Sequence, residues 1–239
     1  MKNGTLYAKR VKDLYHKLKA QAEKTEPEAP TEPTEQLVVA LLGETTSLES
    51  GRRALGRLLE RMIDLNEIRV SSVNEVAAAL GDCVPDPEAR ADALIRALNA
   101  VFRKEHAVSL AKLAGKGMRE ARAYLESLDG MSPFAAAAVV HWSLHGHAIP
   151  VSVPMLSALK AAQLAHPDAR LDEVQAFLER NISAGEAHQF VVTMEPFAHA
   201  RPASRVPNAE GAGKPTRSRA GRPPAQRQAA KRKGHSGAK

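Results

Sequence analysis

An all-α fold is predicted by three features of this 239-residue chain. Where apolar residues are dense they recur at three- and four-residue spacing, which lines them along one face of a helix. No stretch alternates apolar and polar residues as a half-buried strand would. Helix-start chemistry stands where the apolar runs begin: Thr46-x-x-Glu49 and Ser72-x-x-Glu75 have the capping-box form, and Asp86-Pro87 offers an N-cap followed by a first-turn proline.

Taken in order, residues 5–22 place Leu6, Val11, Leu14, Tyr15 and Leu18 near one face, with Lys9, Arg10, Lys12, Lys17 and Lys19 elsewhere. That is an amphipathic basic helix, expected to dock on the core; a DNA-facing or membrane-surface helix is the alternative. Residues 1–24 are set apart by Glu26-Pro27-Glu28-Ala29-Pro30-Thr31-Glu32-Pro33, a stiff acidic linker assigned to 25–35. A helical domain is expected over 36–200. Its long helix, from Pro87 to near His106, carries Leu94, Ile95, Leu98, Val101 and Phe102 on the buried side, and further helices are predicted near 117–128, 133–145, 154–165, 171–181 and 185–197. Residues 201–239 are arginine, lysine, proline, alanine and glycine with almost no large apolar side chain; such a segment cannot build a core and is expected to be disordered.

The net charge of +7 is unevenly placed. Residues 201–239 hold eleven Lys/Arg against one acid, Glu210, and residues 1–24 hold seven against Asp13 and Glu23. The linker is acidic, so residues 36–200 carry about −4. Because phosphate neutralisation supplies most sequence-independent DNA affinity, electrostatics assigns duplex binding mainly to the two ends. There is no run of eighteen apolar residues and no hydrophobic signal-type segment near Met1, so the expectation is a soluble cytoplasmic monomer with no membrane contact, nucleoid-associated in a bacterium. The single cysteine, Cys83, excludes a disulfide framework within the chain and reads as inert packing.

The stretch Leu128-Asp129-Gly130-Met131-Ser132-Pro133-Phe134-Ala135-Ala136, followed by Pro150-Val151-Ser152-Val153-Pro154, carries the most information. A helix ends at a glycine, an apolar residue plugs the turn, and a serine and a proline start a helix of small residues, so backbone N–H groups point outward as a phosphate seat. The pattern resembles the endonuclease III-like helix-hairpin-helix family of base-excision glycosylases, whose hairpin reads Leu-Pro-Gly-Val-Gly-x-Lys-Thr-Ala and is followed by Val-Asp-Thr-His. Leu128, Gly130, Met131, Ala136 and Val151 match. Leu37-Val38-Val39-Ala40-Leu41-Leu42-Gly43-Glu44-Thr45-Thr46-Ser47 is similar to the family's first conserved helix and its glutamine turn, and Ala187-His188-Gln189-Phe190-Val191-Val192 to the helix before its iron–sulfur loop. The resemblance spans residues 34–198 and implies a two-lobed helical fold.

It also implies what is missing. In lyase-active members the hairpin lysine attacks the sugar C1′ and the aspartate stabilises charge or activates the nucleophile. On this register the lysine falls on Phe134, which has no lone pair, and the aspartate on Ser152, which has no carboxylate. Ser132 replaces the second hairpin glycine, Pro133 lacks an N–H, and Glu44 stands where the family inserts glutamine into the DNA stack, so weaker hairpin binding is expected. With one cysteine no iron–sulfur cluster can be ligated by this chain, and no cofactor is expected.

Other groups have plainer readings beside the chemical ones. His141, His145 and His147 have metal-ligand spacing, but no neighbouring cysteine or carboxylate completes a set, and histidines capping a helix end are expected. Lys116 and Lys160 read as surface lysines rather than displaced nucleophiles, Asp129 as a turn residue, and Trp142 and Phe134 as buried rather than base-stacking. Arg219-Ala220-Gly221-Arg222-Pro223-Pro224 resembles an AT-hook, but Ala220 interrupts it, so a plain polycationic tail is the expectation and the AT-hook the alternative.

The expected DNA contacts are therefore Glu44, Gly130, Met131 and Ser132 at the hairpin side, and Arg219, Gly221, Arg222, Lys231, Arg232 and Lys233 in the tail. The leading functional reading is a DNA-binding relative of the glycosylases without their catalysis. The alternatives are a monofunctional glycosylase and a helical scaffold for a protein partner. An open cleft around Gly130, Phe134, Ser152 and Glu44 with convergent cations would favour DNA, and a filled one scaffolding.

Overall fold

The structure is a computed structural model that describes residues 4–22 and 29–200. Those residues form eleven α-helices and no strand. All belong to one compact unit. Residues 201–239, for which disorder is expected, lie outside the described residues.

Two apolar cores divide the helices into two lobes. The basic segment forms α1 (Gly4–Lys19), which buries Val11 and Tyr15. At the linker's end, Glu32 caps α2 (Pro33–Gly43) by accepting from the N–H of Glu35, with Pro33 in the first turn. Nine of the eleven α2 residues are buried, as expected of a helix apolar on nearly every side, and α2 is the axis of the first lobe. Against it pack α3 (Leu48–Leu59), α6 (Pro87–Glu105) and α8 (Pro133–Ala138). The crossing with α3 needs Gly51, where a Cβ would lie 2.1 Å from the Val39 carbonyl oxygen.

The cap of α3 differs from the sequence expectation. Thr46 is held in a turn, its N–H donating to the Gly43 carbonyl, so Ser47 is the extended residue that accepts from the Ser50 N–H at 3.1 Å. After α4 (Leu65–Val70), the second box forms as expected: Ser72 Oγ accepts from Glu75 N–H, Glu75 Oε2 accepts from Ser72 N–H, and α5 (Val73–Leu80) follows. Asp86 likewise caps α6 (Pro87–Glu105), which ends at left-handed His106. Then come α7 (Met118–Glu126) and α8 (Pro133–Ala138); the helix predicted over 133–145 gives way at Val139–Ser143 to a wider π-turn.

The chain then builds the second lobe from α9 (Val153–Ala161), α10 (Leu171–Asn181) and α11 (Ala184–Ala200). The basic helix α1 docks on the domain as expected: Val11 and Tyr15 sit in that core, Tyr15 edge-on to Phe190 at 5.2 Å. Burying such side chains stabilises the docked helix by about 1.5–3 kcal/mol each. Trp142 and Leu171 pack against both cores and join the lobes. No described helix is long and apolar enough to cross a membrane.

Candidate functional site

Between α7 and α8 the chain makes a tight hairpin. Leu128 is buried, its carbonyl accepts from the Met131 N–H at 3.3 Å, and half-buried Met131 packs on the first core. Gly130 has φ +80°, and a Cβ there would stand 2.4 Å from the Ala93 carbonyl oxygen of α6. The glycine is demanded both by a left-handed backbone and by contact with α6. Ser132 caps α8, its Oγ accepting from the Ala135 N–H at 3.1 Å.

The charges around this turn are mutually committed. Arg96 bonds Asp129 at 3.1 Å and Asp92 at 2.9 Å, and Arg122 bonds Glu126 and Glu179. Asp129 is thus an ion-paired turn residue. Glu44 does not reach outward either: its carboxylate is paired with Arg90 at 3.1 Å, with 14% and 19% of the two side chains exposed. Its carbonyl accepts from the Val153 N–H at 3.0 Å, so Glu44 ties the first lobe to the start of α9.

Phe134 and Ser152 come together. Both line one pocket at the junction of the lobes, with Ser47, Leu48, Pro150, Met155, Val191, Glu195 and Ala198. The free space is about 30 Å³, room for roughly one or two waters. Phe134 is buried, and Ser152 caps α9, its Oγ accepting from the Met155 N–H at 3.3 Å. Opposite them Glu195 brings the pocket's one carboxyl group. Burial raises its pKa, partly offset by His199 and Arg52 and reinforced by Glu49. The sequence reading missed Glu195; the available signal was an acid standing alone in the largely apolar stretch 187–200.

This arrangement can be set beside solved structures. A non-covalent complex of endonuclease III with DNA superposes with a TM-score of 0.58 at 17% identity, covering 78% of this chain and 83% of that one. A thermostable thymine-DNA glycosylase gives 0.56 at 13%, covering 80% and 86%. The Clostridium acetobutylicum 8-oxoguanine glycosylase/lyase bound to duplex DNA gives 0.58 at 16%, covering 83% and 70%. The fold is the endonuclease III, helix-hairpin-helix glycosylase fold. No family model matches the sequence, and no curated protein does.

Within the endonuclease III fold the remaining candidates take structural places. Cys83 lies in the first lobe, its Sγ accepting from Arg57 at 3.2 Å; a lone thiol there does not fit a four-cysteine cluster after α11. His141 donates from Nδ1 to the Ala148 carbonyl at 2.9 Å and stacks on His188 at 5.6 Å. Burial pushes His141 down to about 4, the carbonyl bond opposing and His188, His145 and His147 adding to the shift. His147 Nε2 donates to the Ile182 carbonyl at 3.0 Å. No three His, Cys, Asp or Glu side chains converge as a metal set among the described residues. Trp142 is edge-on to His141 and His188, and Lys116 is paired with Glu120. Lys160 is half-buried on α9 and does not line the Phe134 pocket. Arg219, Gly221, Arg222, Lys231, Arg232 and Lys233 lie outside the described residues.

Proposed function

We propose that this protein is a monomeric DNA-binding relative of the base-excision glycosylases that keeps their two-lobed shape and lacks their lyase chemistry. The observation that carries the reading is that Phe134 and Ser152 line the same lobe-junction pocket. The positions matched to the amine and the acid hold a phenyl ring, which cannot form a Schiff base, and a hydroxyl already spent on a helix cap. Affinity for duplex is assigned chiefly to the cationic ends, because the charges beside the hairpin are paired.

The test titrates a duplex against the full chain and a 1–200 truncation at about 50 and about 200 mM salt, with borohydride added to a parallel incubation on an abasic duplex. The expected result is weaker binding and a shallower salt dependence for the truncation, and no covalent adduct. Equal affinities with equal slopes, or a trapped adduct, would overturn it.

Two observations favour other readings. Glu195 supplies a carboxyl group in the pocket that Ser152 does not, which suits a glycosylase acting through water without lyase activity. Release of free base from lesion-bearing oligonucleotides, abolished by Glu195→Gln, would establish that activity. The small free volume of the pocket, about 30 Å³, suits a scaffold instead. A core that ignores DNA and retains one defined protein partner would favour it.

A further inference from the structure

The docking of α1 divides its residues into two sets. Val11 and Tyr15 are each about 1% exposed in the second core, with Tyr7, Leu14 and Leu18 packed around them. Lys9, Arg10, Lys12, His16, Lys17 and Lys19 are exposed, with Asp13 the one acid among them. Two of these cations are occupied: Arg10 donates to the Gln163 carbonyl and Lys19 pairs with Glu186 at 3.5 Å. Lys9, Lys12 and Lys17 form no ion pair with the described residues. They contrast with Lys104, Lys112 and Lys116 of the first lobe, which are bonded to Ser127, Glu105 and Glu120.

We infer that the outer face of α1, through Lys9, Lys12 and Lys17, is a duplex-DNA contact surface that reads phosphates and not bases. The inference rests on the DNA-binding reading above and adds a site within the folded part of the chain. From Lys9 to Lys17 the helix rises about 12 Å, which matches roughly three to four nucleotides along one strand. A polyanion of fixed shape is the partner that charge complementarity selects. An anionic membrane fits less well, because an interfacial helix must lay its apolar face into lipid, and here that face is already spent in the protein core.

The test uses the full chain and the triple variant Lys9/Lys12/Lys17→Gln, with Lys104/Lys112/Lys116→Gln as a charge-matched control. Duplex affinity is measured across a salt series, after circular dichroism has verified equal helicity. Each phosphate contact contributes about 0.9 to the salt slope, so the α1 variant should lose about two to three in slope and bind about tenfold or more weakly at low salt, with the control close to the parent. Slopes equal to the parent, or an equal loss in the control, would overturn the inference while leaving the DNA-binding reading intact. A full chain that fails to bind duplex at all would remove that reading and the inference with it. Lysine-dependent binding to vesicles of equal parts phosphatidylglycerol and phosphatidylcholine, with DNA affinity unchanged in the α1 variant, would overturn it in favour of a membrane surface.

Discussion

Leu128, Gly130 and Ser132 in the hairpin, and Phe134 and Ser152 in the pocket behind it, are held by different kinds of constraint. In the hairpin every feature has a backbone reason: Gly130 is left-handed and touches α6, Leu128 is buried, and Ser132 closes the first turn of α8. In the pocket the backbone asks only for something apolar at 134 and a cap at 152, and Phe134 and Ser152 satisfy both. A lysine and an aspartate would be required there only by a reaction. Shape is therefore enforced by folding at the hairpin, whereas folding alone leaves the identity of the pocket groups open.

The largest effect should come from breaking the hairpin. Gly130→Ala introduces a Cβ at φ +80° and 2.4 Å from a backbone oxygen of α6. The two penalties should sum to about 3–4 kcal/mol, read as a shift in the denaturation midpoint. A change under about 1 kcal/mol would mean that α6 can yield, and that the turn is less constrained than the pocket.

Acid should come next, acting at the joint between the lobes. His141 stays neutral when folded, with its pKa held down at about 4 against an ordinary 6.5. Its contribution is complete above about pH 6.5 and is lost as pH falls from there through the folded value, because the unfolded chain takes up the proton first. The loss approaches about 3 kcal/mol near pH 4. Denaturation across that window, compared with His141→Gln, should show a shallower decline in the variant; parallel curves would refute the assignment.

How much of this could be read in advance depends on the range of the interaction. The Ser72–Glu75 box was legible because both partners lie within one turn. The box at Thr46 was displaced to Ser47 because a preceding turn, closed by the Gly43 carbonyl, holds Thr46. The two lobes and the hairpin were legible through the resemblance, and the amphipathic pattern of α1 announced a docked helix without saying which core would receive it. Glu44 appeared as an acid turned toward DNA because its partner, Arg90, lies 46 residues away. Glu195 was invisible for the same reason: the pocket it enters is assembled from residues as distant as Ser47. Arg219 and the other tail residues were readable as charge and as an interrupted AT-hook, and they lie outside the described residues.

The Glu44–Arg90 pair gives a smaller and more diagnostic effect than the hairpin glycine. Removing either side chain strands a largely buried charge, so Glu44→Ala and Arg90→Ala should each cost about 2 kcal/mol, and the double variant less than their sum. Additive losses would mean the two groups act separately and that Glu44 is available for another partner.

The smallest effect separates a pocket that merely fills space from one kept for a proton. Glu195 has its carboxyl pKa raised above the usual value by burial, against the pull of His199 and Arg52. A raised carboxyl favours the folded state when protonated, at low pH, and loses that contribution as pH rises. Glu195→Gln should therefore stabilise the protein by about 0.5 kcal/mol near neutrality, with the gain shrinking toward the acid range. A neutral glutamine that stabilises while base release is absent identifies the carboxylate as a tolerated burden on a small pocket. If Glu195→Gln instead leaves stability unchanged and removes a measurable base-release activity, the pocket is constrained by chemistry after all, and the contrast with the hairpin collapses.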